Sequence, residues 1–294
     1  MILPLLAQSL RIALPYLAAA MAGVWSERAG VVNVALEGTM LVGALGAVAG
    51  TLASGSPWIG LLVAIVAGIA LQLVHVVAVL WGRANAIVSG IALNLLAAGG
   101  TRFVLRALYD SSSNSPAIPA LTARTGGGSG GALLVSSLLD PATWIVVALV
   151  AATIGALRAT PFGLRVRAVG EHPEAAESAG VSVRRTRVIA VGLAGLCAGI
   201  SGAWLAFDQH QFSSGMSGGR GFIALAAVIV GGWRPTRAAL ACLAFGLAEA
   251  AQIELQDRHW VSHQLVQMLP YLATLVALAG LVGRSRPPAA LGKS

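Results

Sequence analysis

Seven polar side chains stand inside long apolar runs of this 294-residue sequence, and they are the residues best placed to do chemistry. Polar groups are costly in an apolar environment, so such residues either bond to one another or face a water-filled path. Gln72 and His75 are interpreted as hydrogen-bonding partners between helices. For Glu37, a single acid among Val, Leu and Ala, both interpretations stay open. The seven residues are Asn33, Glu37, Gln72, His75, Asn94, Asp208 and Glu249.

Several short motifs in the glycine-rich parts of the sequence imitate catalytic sites. Residues 127–131 and 215–219 fit GxSxG, but neither follows the strand that a nucleophile elbow requires. Residues 126–131 fit GxGxxG only inside a low-complexity GGGSGG run. Residues 292–294 resemble the end of a P-loop, but Pro287 stands where its first glycine is needed. HExxH, paired-cysteine and EF-hand spacings are also missing from the sequence, so we expect no metal. No other cofactor is expected. An enzyme activity is not expected either, because the sequence offers no convergent cluster of nucleophile and base or of metal ligands.

The composition places most of the chain in lipid rather than in water. Hydrophobic residues make up 57% of the sequence and charged residues only 10%, and the mean hydropathy is +0.81. Soluble domains carry about a quarter charged residues. A soluble enzyme, a disordered chain and a nucleic-acid-binding protein are therefore excluded. The net charge of +8 lies mainly between the apolar runs, as the positive-inside rule describes for membrane proteins.

The apolar runs predict an all-α fold, a polytopic transmembrane helical bundle with about eight to ten membrane helices. A helix needs about 20 apolar residues to cross the hydrocarbon core. The run 221–233 is shorter than this and is predicted to be a short or re-entrant helix. Full spans are predicted at 3–25, 31–53, 58–81, 86–108, 142–157, 188–207, 238–253 and 264–283.

The polar stretches between the runs predict the topology of a single membrane domain over residues 1–294. An external loop is expected at about 110–141, a charged cytoplasmic loop at about 158–187 and a polar tail at 284–294. With the N-terminus outside, 13 of the 19 basic residues fall inside, so we expect the N-terminus outside and the C-terminus in the cytoplasm. These 13 are Arg28, Arg83, Arg158, Arg165, Arg167, Arg184, Arg185, Arg187, Arg234, Arg237, Arg284, Arg286 and Lys293.

One short helix is predicted within the charged loop. Pro173 follows His172 and suits the first helical position, where its missing N–H is not needed. Glu174 would lie in the first turn, where the helix dipole favours a negative charge. Gly180 can end the helix in the left-handed conformation. These signals predict a helix of about seven residues, too short to span a membrane.

Four ordered segments make the sequence resemble a known family. They are ERAGVVNVALEG at 27–38, NAIVSGIALN at 85–94, VGEHPEAAESAGV at 169–181 and IALAAVIVGGW at 223–233. They are similar to motifs of ATP-binding-cassette (ABC) importer permeases of the branched-chain amino acid and ribose-type family, and more narrowly of its simple-sugar and nucleoside subgroup. The sequence departs from the family at His172, where Asn is common, and at Ala86, where Glu is common.

The resemblance implies one membrane-spanning subunit of an importer in the bacterial cytoplasmic (inner) membrane. A separate ABC ATPase subunit would bind on the inside, a solute-binding lipoprotein would deliver solute on the outside, and a second, longer permease would pair with this shorter one. The implied solutes are nucleosides or simple sugars. Membrane lipid would surround the chain, and nucleic acid is not an expected partner.

The resemblance also implies roles for two groups of residues. The loop helix is similar to importer coupling helices, so residues 171–181 would insert into the ATPase. The residues assigned to this coupling are Glu171, His172, Pro173, Glu174, Ala175, Ala176, Glu177, Ala179 and Gly180.

The second group is the predicted translocation pathway. Aromatic faces suit a nucleobase or the apolar face of a sugar, and an Asn amide can both donate to and accept from hydroxyls. For Trp204, core packing is favoured over a place in the lining. The predicted lining residues are Asn33, Glu37, Asn94, Trp204, Phe207, Asp208, Phe212, Met216 and Phe222.

Two other transport functions stay open. A branched-chain amino acid permease of the same family would need groups for both a carboxylate and an ammonium. A secondary transporter driven by an ion gradient would also show buried polar residues and broken helices, but it would not need a basic loop of about 30 residues with an embedded helix.

Overall fold

The structure, a computed structural model, describes residues 2–121, 138–256 and 286–293. These segments form ten helices and, apart from one isolated bridge between Asn114 and Ser213, no strand pairing. Seven of the helices are long and apolar enough to cross a membrane. The predicted all-α polytopic bundle is thereby confirmed, and the chain is a multi-pass membrane protein. The span predicted at 264–283 lies outside the described residues.

Most of the helices follow one another with short connections, whereas residues 110–140 separate α4 from α5 and residues 210–219 separate α8 from α9. They are α1 (Ile2–Arg28), α2 (Leu36–Ser54), α3 (Pro57–Leu80), α4 (Ala86–Tyr109), α5 (Pro141–Ala159), α6 (Pro161–Glu171), α7 (Pro173–Ser178), α8 (Val183–Gln209), α9 (Arg220–Val230) and α10 (Pro235–Gln256).

Two predicted spans were wrong at their ends. The span predicted from residue 31 begins as α2 only at Leu36, because residues 29–35 leave the helical conformation after Gly30, whose φ is +90°. The uncharged span predicted at 188–207 is the longer helix α8, which takes in the three arginines of its first turns. It starts after Ser182, whose hydroxyl accepts from the Arg185 N–H at 3.4 Å, and ends at His210 in the left-handed conformation.

The charged loop contains one helix more than predicted. The predicted short helix is confirmed as α7, and Gly180 has a φ of +80° just beyond it. The additional helix is α6, which begins with Pro161 at its first position after Thr160, whose hydroxyl accepts from the Gly163 N–H at 3.0 Å. The rest of the predicted loop consists of the last residues of α5 and the first residues of α8.

Contacts between distant segments define one end of the bundle, here called the basic end. Arg28 Nε donates to the Trp233 carbonyl at 2.9 Å, and Ala290 N donates to the Gly170 carbonyl at 2.9 Å. Arg158 Nη2 donates to the Thr236 hydroxyl at 3.1 Å. These segments carry most of the 13 basic residues assigned to one side. Arg187 at the start of α8 bonds to the Ala29 and Lys293 carbonyls at the same end, and Arg83 lines a cavity there with Arg187 and Lys293. Arg284 lies outside the described residues.

Other contacts define the opposite end, here called the far end. Arg11, near the start of α1, forms an ion pair with Asp208 at 2.6 Å. Residues 113–118, which follow α4, bond through their backbone to residues 210–214, which follow α8. Helices α1 and α8 therefore run in opposite directions between the two ends.

Helix α8 lies at the centre of the bundle and packs against α1, α2 and α3. Close approach is possible because its buried face carries glycines. A Cβ on Gly202 would contact the Met40 carbonyl oxygen and would lie 2.7 Å from Ala44 N on α2. Glycine is therefore required at 202 by backbone packing between two helices.

We expect Gly202→Ala to destabilise the protein by about 1–3 kcal/mol, because the added methyl must push α2 and α8 apart. The matched control is Gly192→Ala on the same helix, where an added Cβ has no neighbour within 4 Å. That control should be neutral or slightly stabilising, because Ala favours the helix. Thermal unfolding of the purified protein measures both. Equal unfolding midpoints for the two variants would contradict this packing.

Candidate functional site

The non-helical segment 29–35 enters the bundle from the basic end, and side chains of neighbouring helices bond to its backbone. His75 Nε2 on α3 lies 3.0 Å from the Val32 carbonyl oxygen, and its Nδ1 lies 3.0 Å from the Ser89 hydroxyl on α4. Asn94 Nδ2 on α4 donates to the Val34 carbonyl at 2.9 Å. Backbone groups at membrane depth have no water to bond with, so these side chains replace the missing helical hydrogen bonds.

A second contact fixes the side chain at the middle of this segment. The amides of Asn33 and Gln72 donate to each other at 3.0 and 3.1 Å, and Gln72 Nε2 also donates to the Thr39 hydroxyl at 2.8 Å. All three side chains are fully buried. Interhelical hydrogen bonding, predicted for Gln72 and His75, is confirmed. Asn33, predicted to line the pathway, uses both ends of its amide within the protein.

Glu37 connects the first turns of two helices. It lies in the first turn of α2, and its two carboxylate oxygens accept from Gly219 N at 2.8 Å and Gly221 N at 2.7 Å at the start of α9. The residue that precedes α9, Gly219, has a φ of +84° and no side chain that could cap the helix. One negative charge therefore stabilises the positive ends of two helix dipoles. Asn94 Oδ1 accepts from Gly38 N at 2.8 Å beside it.

The meeting point lies at depth in the bundle. Helix α9 has 11 residues, or about 16 Å of helix, about half of the ~30 Å hydrocarbon core. Its last turn leads directly to Trp233 at the basic end, so its first turn lies well inside. The predicted short helix is confirmed, and its N-terminus sits beside Glu37. Discontinuous helices with N-termini at depth are found at the solute sites of many secondary transporters.

Two further acids hold the ends of α9. Glu27 on α1 is buried and accepts from Trp233 Nε1 at 2.5 Å, just beyond the last turn of α9. Glu249 on α10 accepts from the Tyr16 hydroxyl and pairs with Arg220, the first residue of α9, at 3.4 Å. Glu27 was not predicted as a site residue. Its only sequence signal is its place at the head of the segment 27–38, because its partner Trp233 is 206 residues away.

The aromatic members of the predicted pathway lie mostly inside the protein near the far end. Trp204, Phe207 and Asp208 border a recess of about 10 Å³ with Leu121 and Asp140. Phe212 is fully buried, and its backbone bonds to Ser115 in both directions. Met216 is buried as well.

Phe222 is the third residue of α9. It differs from this group because 48% of the residue is exposed. The structure thus divides the nine predicted residues into a polar group around 33–37 and Asn94, a far-end group that is buried except for the partly exposed Asp208, and Phe222. A role of any of the nine in lining the pathway stays a prediction.

The predicted coupling residues form an exposed projection at the basic end. Helix α7 and its flanks expose eight residues, whereas Ala176 is buried against the chain itself. Glu171, which closes α6, pairs with Arg28 at 3.9 Å and accepts from Ala289 N at 3.2 Å. The projection is therefore joined to the last residue of α1, directly before the non-helical segment. The exposed residues are Glu171, His172, Glu174, Ala175, Glu177, Ser178, Ala179 and Gly180.

Replacing Glu37 tests the shared cap. We expect Glu37→Ala to lower the free energy of unfolding by about 3 kcal/mol, because two hydrogen bonds to a charged group are lost at the start of α9. Glu37→Gln keeps one acceptor oxygen and should lose about half of that. Thermal unfolding measures both variants, with correct membrane insertion as the control. Wild-type stability in both would contradict the cap.

Comparison with known proteins identifies relatives over nearly the whole chain. Residues 5–279 match the family described as "Branched-chain amino acid transport system / permease component". The chain is 37% identical to the guanosine ABC transporter permease protein NupQ of Bacillus subtilis, over 95% of this chain and 92% of that protein. It is 34% identical to the nucleoside ABC transporter permease protein NupC of Lactococcus lactis, with the same two coverages. It is 33% identical to the putative glucose ABC transporter permease protein TsgC13 of Haloferax volcanii, over 88% of this chain and 86% of that protein.

Weaker matches include a further permease protein from each of the two bacteria. NupP of Bacillus subtilis is 27% identical over 82% of this chain, and NupB of Lactococcus lactis is 33% identical over 39%. The search of solved structures gives no match. The relatives are transport components rather than enzymes, and the family match covers most of the chain. This protein belongs to the family of branched-chain amino acid transport system permease components.

Proposed function

We propose that this chain is the membrane-spanning permease subunit of an ABC importer for nucleosides. The observation that carries the proposal is the similarity, over 95% of the chain, to proteins named as guanosine and nucleoside permeases. Simple sugars are the second candidate solutes, because a relative of 33% identity is named as a putative glucose permease. ATP hydrolysis is assigned to a separate ATPase subunit.

The partners follow from the same comparison and from the exposed surfaces. NupQ and NupC each have a second matching permease in the same organism, which supports a heterodimer of two permeases here. Exposed α7 is the proposed contact with the ATPase, and a solute-binding lipoprotein would dock at the far end. The basic end is assigned to the cytoplasm because it gathers the basic residues, which places the N-terminus outside and the C-terminus inside.

The proposed mechanism links α7 to the meeting point of α2 and α9. Motion of α7 would reach Arg28 through Glu171 and then the non-helical segment 29–35. That segment leads to Glu37, which holds the start of α9. The half-exposed Phe222 lies one residue beyond Gly221, so the pathway is proposed to run along this face of α9.

Solute uptake into proteoliposomes tests the proposed function. The permease is reconstituted with its partner permease and ATPase, and purified receptor carries labelled guanosine. We expect ATP-dependent uptake that other nucleosides compete with and leucine does not. An ATPase variant unable to hydrolyse ATP is the control. Competition by leucine alone would favour the amino acid permease, and uptake driven by an ion gradient without ATP would favour a secondary transporter.

Bulky substitutions on α7 test the coupling contact. Ala176→Trp would disturb the fold because Ala176 is buried, so the exposed Ala179 is the better position. We expect Ala179→Trp and Glu177→Arg each to reduce ATP-dependent uptake at least tenfold, which corresponds to a lost contact of about 1.4 kcal/mol or more. The control is Ser112→Trp, exposed at the far end. Cysteines at 179 and 112 should react with an impermeant reagent from opposite sides. Normal uptake in both α7 variants would remove α7 as the coupling element.

A further inference from the structure

A cavity of about 260 Å³ opens at the basic end, and none of its described lining residues lies on α9, along which the solute pathway is proposed to run. It lies between the non-helical segment at 30–32, the turn 83–86 before α4, Arg187 on α8 and the tail residues Gly292 and Lys293. Among the residues that the structure describes, its lining includes three cationic residues, Arg83, Arg187 and Lys293, and no acidic residue. A cavity with this charge is suited to an anion.

Arg187 is the buried member of the three. Only 6% of the residue is exposed, and its guanidinium donates to the Ala29 and Lys293 carbonyls, both at 3.2 Å. The ion pairs found within the described residues involve Arg11, Arg28 and Arg220, so none neutralises the cations of this cavity. A guanidinium has five N–H donors and two are used here, which leaves donors for a ligand.

A helix terminus adds to the positive potential. Asn85 and Ala86, which line the cavity, are the cap and the first residue of α4. Asn85 Oδ1 already accepts from the Ile87 and Val88 N–H groups at 2.9 and 3.2 Å, so the start of α4 contributes the positive end of its dipole rather than free N–H donors. Arg83 is held two residues before this terminus with a φ of +53°, an uncommon backbone conformation for a residue with a side chain.

We propose that this cavity binds a phosphoryl group, either of an anionic lipid or of free phosphate. Arginines recognise phosphoryl oxygens through paired N–H donors, and the volume is well above the ~30 Å³ of one water molecule. The cavity lies at the basic end, where both a lipid headgroup and a soluble phosphate have access from the same side. The bound group would join the tail and residues 30–32 to α8.

Binding measurements on the full chain test this site without any transport assay, so they do not depend on the proposed function. The protein is placed in phosphatidylcholine nanodiscs and titrated with inorganic phosphate by calorimetry at constant ionic strength, balanced with chloride. We expect saturable binding that Arg83→Gln weakens about tenfold, as expected for one charge-assisted hydrogen bond. The matched control is Arg185→Gln, an exposed arginine two residues from Arg187, which should bind as wild type.

A second arm separates the two sources of the phosphoryl group. If a lipid occupies the cavity, phosphatidylglycerol in the nanodiscs should raise the unfolding midpoint and abolish phosphate binding, and Arg83→Gln should reduce both effects. If free phosphate is the ligand, its binding should be the same in both lipids. The proposal is overturned if neither phosphate nor phosphatidylglycerol has a saturable effect, or if Arg83→Gln behaves as Arg185→Gln does.

Discussion

Every backbone N–H and C=O group at membrane depth needs a partner inside the protein, and the fold depends on how this chain meets that requirement where its helices break. A continuous helix bonds its own backbone, but residues 29–35 do not form one. Their carbonyls at Val32 and Val34 bond instead to His75 and Asn94 from two neighbouring helices. The costly polar residues inside α3 and α4 are therefore part of the support for a broken crossing.

The break has a consequence for charge as well as for hydrogen bonds. Because α2 starts at depth, its positive end is buried, and so is that of the half-length helix α9. Glu37 serves both, and Gly221 permits the contact because a Cβ there would lie 2.6 Å from the Glu37 backbone. The carboxylate of Glu37 thus links the starts of the two helices. In the proposed transport mechanism, this junction rearranges as a unit beside the solute pathway.

Features coded by neighbouring residues could be predicted from the sequence. The short helices α7 and α9 follow from a proline, a glycine or the length of an apolar run. Helix α6 carried the same kind of signal, Thr160 followed by Pro161, and could have been found. The path of residues 31–35 after Gly30 could not, because its partners lie 39 to 60 residues away and only packing brings them together. For the same reason Glu27 was missed, and the bonding partners of Asn33 were not foreseen.

A double-mutant cycle on the Asn33–Gln72 pair tests the central claim most directly. Asn33→Ala, Gln72→Ala and the double variant are compared by their free energies of unfolding. If the two amides satisfy each other beside the broken backbone, each single change leaves a buried polar group unpaired. The double variant should then cost about 1 kcal/mol less than the sum of the single changes. Strictly additive costs would contradict the claim that this side-chain pair supports the break.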